Sequence, residues 1–201
     1  MQPFTKVTGI AAALPAANVD TDVIMPKLFL KGIDRSGLDH GLFHDLRFDQ
    51  DGVERPDFLL NRPGWRGAKF LVVGPNFGCG SSREHAVWGL MQYGIRGLIG
   101  TSYAGIFFDN CARNGLLAIS LDDEQMQALL AETSGPGPET ITVDLHDQTI
   151  ATPKGRIAFA IDATRREALL QGLDAIGQTL ARRDEIIAFQ TRHLQAQPWL
   201  A

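Results

Sequence analysis

Between Lys69 and Thr133 the chain switches repeatedly between two apolar periods, and that alternation constrains the fold more than any other feature. Lys69–Val73, Gly97–Thr101 and Leu116–Leu121 are short apolar runs of buried-strand type, whereas Arg83–Tyr93, Tyr103–Asn114 and Asp122–Thr133 carry helical spacing. Strands that alternate with helices need crossover connections, so the pattern βαβαβα predicts a parallel core. Gly94 and Gly115 stand just past two of the helical segments, where a left-handed C-cap is expected, and Asp122 is placed to cap the third.

The flanks follow different rules. Lys6–Ala13 reads as a strand, Asn18–Asp22 (NVDTD) as a polar turn, and the stretch from Gly32 to Arg62 is rich in turn residues with few periodic runs. After the connecting loop Ser134–Glu139, Thr140–Leu145 and Gly155–Ile161 alternate as strands around a polar stretch, which predicts antiparallel strands added to the parallel core. Two helical segments close the chain, Ala163–Gln171 and Arg182–Leu194. The second places Ile186, Phe189 and His193 on one stripe and reads as a helix packed on its own sheet.

With 201 residues, of which 44% are hydrophobic, the chain can bury a substantial core as one domain. Its net charge of -4 and scattered lysines and arginines offer no basic field, which argues against a nucleic-acid partner. No apolar stretch approaches the roughly 18 residues that cross a bilayer, and Ile10–Ala17 is too short and proline-interrupted for a signal segment. A cytoplasmic protein without a membrane partner is the expectation.

Cys79 and Cys111 are too few and too isolated for a disulfide framework, a zinc site or an iron–sulfur site. Cys111 reads as a small core residue. Cys79, six residues before His85, could serve as a nucleophile, although nearness in sequence says little about nearness in space. His40 and His44 have the spacing of metal ligands on one helix face, but Gly41 weakens a helix there and no further ligand is spaced to join them. They read as surface or turn residues.

The chemistry is concentrated in Gly74–Ala86, GPNFGCGSSREHA, which lies where a strand hands over to a helix. That position in an open α/β sheet binds ligands, and the free amides of the following helix favour anions. Ser81 and Glu84 also form the pattern of a capping box, so a plain turn and cap would account for both. It would not account for Arg83, a cation in the first helical turn, unless that residue has an anionic partner. Asn76, Gly78 and Gly80 suit positive φ or close approach of backbone to a ligand.

Several segments together resemble one family, the small subunit of 3-isopropylmalate dehydratase, related to the swivelling domain of aconitase. They are Asn18–Leu30 (NVDTDVIMPKLFL), Gly41–Phe48 (GLFHDLRF), Gly74–Ala86, Ser102–Leu117 (SYAGIFFDNCARNGLL) and Gly172–Leu180 (GLDAIGQTL), which span nearly the whole chain in the family's order. The resemblance implies a three-layer β/β/α swivelling domain with a mainly parallel central sheet and antiparallel flanking strands. It implies a single such domain over residues 1–201, with an irregular N-terminal part to residue 65 and a C-terminal helical extension over residues 163–201. It also implies that a [4Fe-4S] cluster is carried by a separate large subunit, with no cofactor on this chain, and that one active site is completed by both subunits.

The implied reaction converts 2-isopropylmalate to 3-isopropylmalate through isopropylmaleate in leucine biosynthesis. A proton must leave a carbon beside a carboxylate while an iron with an open position takes the departing hydroxyl, and the protein must supply a base and hold two carboxylates. By resemblance Ser81 is that base, an alkoxide in need of amide donors and the positive end of a helix. Arg83 would clamp a carboxylate of the small dicarboxylate substrate, Ser82 would add a hydrogen bond, and Thr21 and Asp22 would orient substrate or neighbouring side chains. Leu28–Leu38 is a candidate specificity loop, its apolar members Leu28, Leu30 and Ile33 facing an isopropyl group, with Gly32 and Gly37 as its hinges. A related hydro-lyase acting on homoaconitate or citraconate, and a stand-alone anion-binding or thiol-dependent protein, are the alternatives.

Overall fold

An apolar run that is buried along its whole length needs cover on both faces of its sheet, and the computed structural model, which describes residues 1–31 and 35–200, provides it. The strands are β1 (Lys6–Leu14), β2 (Phe70–Val73), β3 (Gly97–Gly100), β4 (Leu117–Ser120), β5 (Glu139–Asp144), β6 (Thr149–Thr152) and β7 (Gly155–Ala158). They form one mixed sheet in the order β4-β3-β2-β1-β5-β6-β7. Neighbours from β4 to β1 run parallel, and β5, β6 and β7 continue from β1 as an antiparallel meander. The parallel core with antiparallel strands added to it is the architecture expected from the sequence.

The helices are α1 (Thr21–Ile24), α2 (Leu38–Gly41), α3 (His44–Arg47), α4 (Glu84–Tyr93), α5 (Gly105–Asn114), α6 (Asp123–Thr133), α7 (Ala163–Gln171), α8 (Ala175–Ala181) and α9 (Arg183–Ala196). Alternate residues of β2 serve two cores, because successive side chains of a strand point to opposite faces. Leu71 and Val73 pack with Ala86, Val87 and Leu90 of α4 and with Phe107 and Cys111 of α5. Phe70 and Val72 pack with Met126 and Leu129 of α6, Ile141 and Val143 of β5 and Leu169 of α7. Each fully buried leucine contributes about 1.5–3 kcal/mol relative to exposure. Among the described residues no helix is long and apolar enough to cross a membrane.

Local signals set the boundaries of the middle segment. Gly94 and Gly115 take left-handed conformations at φ 107° and 91° and cap α4 and α5. Asp122 accepts the Gln125 amide while the Gln125 side chain reaches back to the Asp122 amide, a full capping box on α6. Two elements lie beyond the sequence reading. β6 fills the polar stretch between the two expected strands, and α8 follows Asp174, whose carboxylate accepts the Gly177 amide at 2.7 Å.

One expectation is overturned. α9 has no buried residue, and Ile186, Ile187 and Phe189 are 45, 45 and 59% exposed. It does not pack on its own sheet, because α4 and α5 already cover one face of the central strands and α6 and α7 the other.

The feature that matters most for function is the register of β1 against β2. Leu14 pairs with Val73, so the two parallel strands end side by side although they are far apart in the chain. The segments that leave them, NVDTD from β1 and the serine loop from β2, therefore start together at one end of the sheet.

Candidate active site

Two turns that leave adjacent parallel strands are free to join edge to edge, and these two do. The Gly78 amide donates to the Val19 carbonyl at 2.8 Å, the Thr21 amide to the Cys79 carbonyl at 2.8 Å and the Asn18 amide to the Pro75 carbonyl at 2.9 Å. Asn18 and Asn76, both at positive φ, add a side-chain bond of 2.8 Å from Asn76 Nδ2 to Asn18 Oδ1. On the other side the Asn76 amide donates to Ser102 Oγ at 2.9 Å and the Ala104 amide to the Phe77 carbonyl at 3.1 Å. The loop is thus gripped from both flanks.

Asn76, Gly78 and Gly80 adopt φ of 57°, 76° and 87°, as the sequence predicts. At Gly78 no side chain fits, since a Cβ would stand 2.2 Å from Phe107 Cγ on α5. The loop therefore rests directly on the first turn of α5, and its remaining residues rise into solvent. Ser81 and Ser82 are exposed.

Thr21 is 1% exposed, and its hydroxyl donates to the Ser81 carbonyl at 2.8 Å. It acts on the backbone of the serine loop. Asp20 caps α1 by accepting the Val23 amide at 2.8 Å, which turns Asp22 toward the serine loop. There the Asp22 carboxylate receives the fork of Arg83, Nη1 on Oδ1 and Nη2 on Oδ2, the latter at 3.1 Å. The same Nη2 reaches Ser81 Oγ at 3.3 Å. The hydrogen bond from Arg83, reinforced by its charge, holds the Asp22 carboxyl below its ordinary pKa.

The capping-box reading of Ser81 and Glu84 is overturned. The residue that precedes α4 is Arg83, in extended conformation, and no side chain caps the helix. Arg83 has found the anionic partner its position demands, and the Glu84 carboxylate is engaged elsewhere, by Asn114 Nδ2 at 3.2 Å. The first-turn amides of α4 are consequently left without a side-chain acceptor at the end of the serine loop. An exposed hydroxyl, a positioned guanidinium and an uncapped helix N-terminus meet at one point, a combination suited to an anionic substrate and a developing oxyanion.

The other candidates sort differently. Cys79 is half-buried and joins the loop's ladder through its backbone. Cys111 is buried in the core, where desolvation pushes its thiol pKa up, as befits a packing residue. His40 and His44 sit in separate short helices and pack their rings against Phe48, His44 also against Phe29. His85 lies on the Trp88 ring at 4.7 Å between centroids. Leu28 is 67% exposed and Leu30 packs partly against the core; Gly32 and Ile33 of the candidate specificity loop lie outside the described residues. The residues that sequence reasoning missed are Asn18, Asn76 and Asn114, whose only signal is a polar residue beside a turn or helix end.

The same arrangement of segments recurs in known proteins. Residues 1–124 match the family model of the aconitase C-terminal domain, and residues 176–201 match that of the C-terminal domain of the 3-isopropylmalate dehydratase small subunit. A 3-isopropylmalate dehydratase small subunit 1 from Mannheimia succiniciproducens is 57% identical, covering 100% of this chain and 99% of its own. A 3-isopropylmalate dehydratase small subunit from Phenylobacterium zucineum is 52% identical, covering 100% and 98%. Among solved structures, 3-isopropylmalate dehydratase from Methanocaldococcus jannaschii superposes with a TM-score of 0.66 at 25% identity, covering 92% of this chain and 99% of that one.

Proposed function

This chain belongs to the small-subunit family of 3-isopropylmalate dehydratase, aconitase-type hydro-lyases, and from that premise we propose that its serine loop supplies the base and the carboxylate clamp of a split active site. The substrate is a branched malate-type dicarboxylate. Dehydration of 2-isopropylmalate takes a proton from the carbon beside one carboxylate and the hydroxyl from its neighbour, giving isopropylmaleate. Readdition of water with the two positions exchanged gives 3-isopropylmalate.

The observation that carries the proposal is the meeting of Ser81 Oγ, Arg83 and the uncapped start of α4. A serine hydroxyl abstracts a carbon-bound proton only as an alkoxide, and both neighbours favour that charge. The guanidinium stands at hydrogen-bond distance, and the helix terminus presents amides and positive potential. Ser81 is accordingly the base. The Arg83 guanidinium has five donors, of which Asp22 takes two, so it keeps N–H groups for a substrate carboxylate while Asp22 fixes its plane. Ser82 is a further donor to substrate, and Thr21 holds the Ser81 carbonyl so that the two serines face outward.

Among the described residues no group of three or more His, Cys, Asp or Glu is arranged to hold a metal, so an iron–sulfur cluster does not fit the side chains of this chain. We assign the [4Fe-4S] cluster to the large subunit. This chain's share of the chemistry is the base, the carboxylate clamp and the hydrogen bonds that orient the substrate.

The test is hydration of isopropylmaleate, followed as loss of the conjugated acid's absorbance, with this chain alone and then with the anaerobically prepared large subunit. Activity is expected in the mixture only. A formed complex with an intact cluster and no turnover would overturn the substrate assignment and favour a related diacid. Leu28→Arg or Leu30→Arg is expected to shift kcat/KM toward substrates that carry a third carboxylate, by about tenfold if one charge-assisted hydrogen bond is made. Unchanged kinetics on both substrate types would remove residues 28–38 from the specificity site.

A further inference from the structure

A glutamate at the first position of a helix ordinarily folds back onto the free amides, and a serine three residues earlier invites it to do so. In this chain that outcome would place a carboxylate on the group that the substrate needs. Glu84 does not fold back. Its Oε1 accepts from Asn114 Nδ2 at 3.2 Å, across the packed pair α4 and α5.

Asn114 is held in one orientation by two further bonds. Nδ2 also donates to the Asn110 carbonyl at 2.9 Å, and Oδ1 accepts from Trp88 Nε1 at 2.8 Å. Rotating the amide would set its donors against the indole N–H and its oxygen against the Glu84 carboxylate and the Asn110 carbonyl. Trp88 is itself fixed, with the Arg35 guanidinium 4.0 Å above its ring and His85 against its side. Asn114 ends α5 directly before the left-handed Gly115, so its backbone is pinned as well.

We propose that Asn114, held by Trp88, is a positioning residue that draws the Glu84 carboxylate away from the N-terminus of α4 and so keeps the anion site of the serine loop open to substrate. The proposal rests on the reading of that loop as the substrate site. A carboxylate returned to the helix end competes with the substrate's own carboxylate. Losing Asn114 therefore raises KM while leaving kcat, read at saturating substrate, nearly intact.

The experiment compares wild type, Asn114→Ala, Glu84→Ala and the double variant in the reconstituted two-subunit enzyme, with isopropylmaleate as substrate. Asn114→Ala is expected to raise KM about tenfold with kcat within twofold. The double variant is expected to return KM to within twofold of wild type, because no carboxylate remains to compete. Trp88→Phe, which removes only the indole donor, is expected to raise KM about threefold and serves if Asn114→Ala does not fold. An unchanged KM in Asn114→Ala, or a double variant no better than Asn114→Ala, overturns the positioning role, since a purely structural contact predicts effects that add. Wild-type inactivity in the mixture would instead overturn the functional reading, so the two failures are distinct.

Discussion

Ser81→Ala is expected to abolish turnover by about 10³-fold or more in kcat while the chain folds and associates as before. General base catalysis alone accounts for about 10²–10⁴-fold, and no neighbouring side chain among the described residues is placed to take over the proton. The stability cost should stay within about 0.5 kcal/mol, because the Ser81 side chain is exposed and its one side-chain contact is the 3.3 Å approach of Arg83 Nη2. The pair of measurements is kcat in the two-subunit assay and the urea midpoint of this chain. Cys79→Ser is the control. Cys79 lies two residues away in the same loop, yet its ladder bond is made by its backbone carbonyl, so a mild effect is expected. If Cys79→Ser abolished turnover and Ser81→Ala did not, the thiol reading would replace the dehydratase mechanism.

Gly78→Ala is expected to produce the largest loss of stability of any single methyl added to the site, about 3–5 kcal/mol. Two costs combine there. A φ of +76° disfavours any residue with a Cβ by about 1–2 kcal/mol. The new carbon would stand 2.2 Å from Phe107 Cγ, a ring that is 2% exposed and packed against Phe77, and forcing extra volume into such a site costs about 1–3 kcal/mol more. That sum is a large share of the roughly 5–15 kcal/mol that holds a domain together. Gly80→Ala isolates the first cost. Its φ is +87° but the nearest atom to a new Cβ is Asp20 Cβ at 3.4 Å, an ordinary contact. Urea unfolding should rank Gly78→Ala well below Gly80→Ala. Equal losses would mean that Phe107 yields and that the loop does not rest on α5 as described.

The range of each interaction decides how much of the fold is legible in the sequence. The succession β2, α4, β3, α5, β4, α6 is legible because each boundary is set within a few residues: Gly94 and Gly115 end helices by accepting left-handed φ, and Asp122 starts one by bonding Gln125. β6 escapes a sequence reading because TIAT is short and carries a single fully buried residue, Ile150. α9 misleads for the opposite reason. Its apolar stripe is real, but a stripe says only that a face is apolar, and the sheet faces it would cover are taken.

The site shows the same division. That Ser81 to His85 stand between a strand and a helix follows from the sequence, as does the need of Arg83 for an anionic partner. Which carboxylate answers does not follow. The local pattern offers Ser81 and Glu84 a capping box, and long-range partners win instead, with Asp22 pairing Arg83 and Asn114 taking Glu84. Both outcomes depend on segments 61 and 30 residues away in the chain.

By itself the sequence determined the elements of the parallel core, their caps, the left-handed residues of the serine loop and, through its family motifs, the chemistry to look for. Those are consequences of backbone sterics and hydrogen bonds between near neighbours. Only the tertiary structure decided that β1 ends beside β2, that Asp22 therefore meets Arg83, and that α5 restrains the first residue of α4. Strand register and helix packing are settled by burial of the whole core on both sheet faces, an energy that no local window contains.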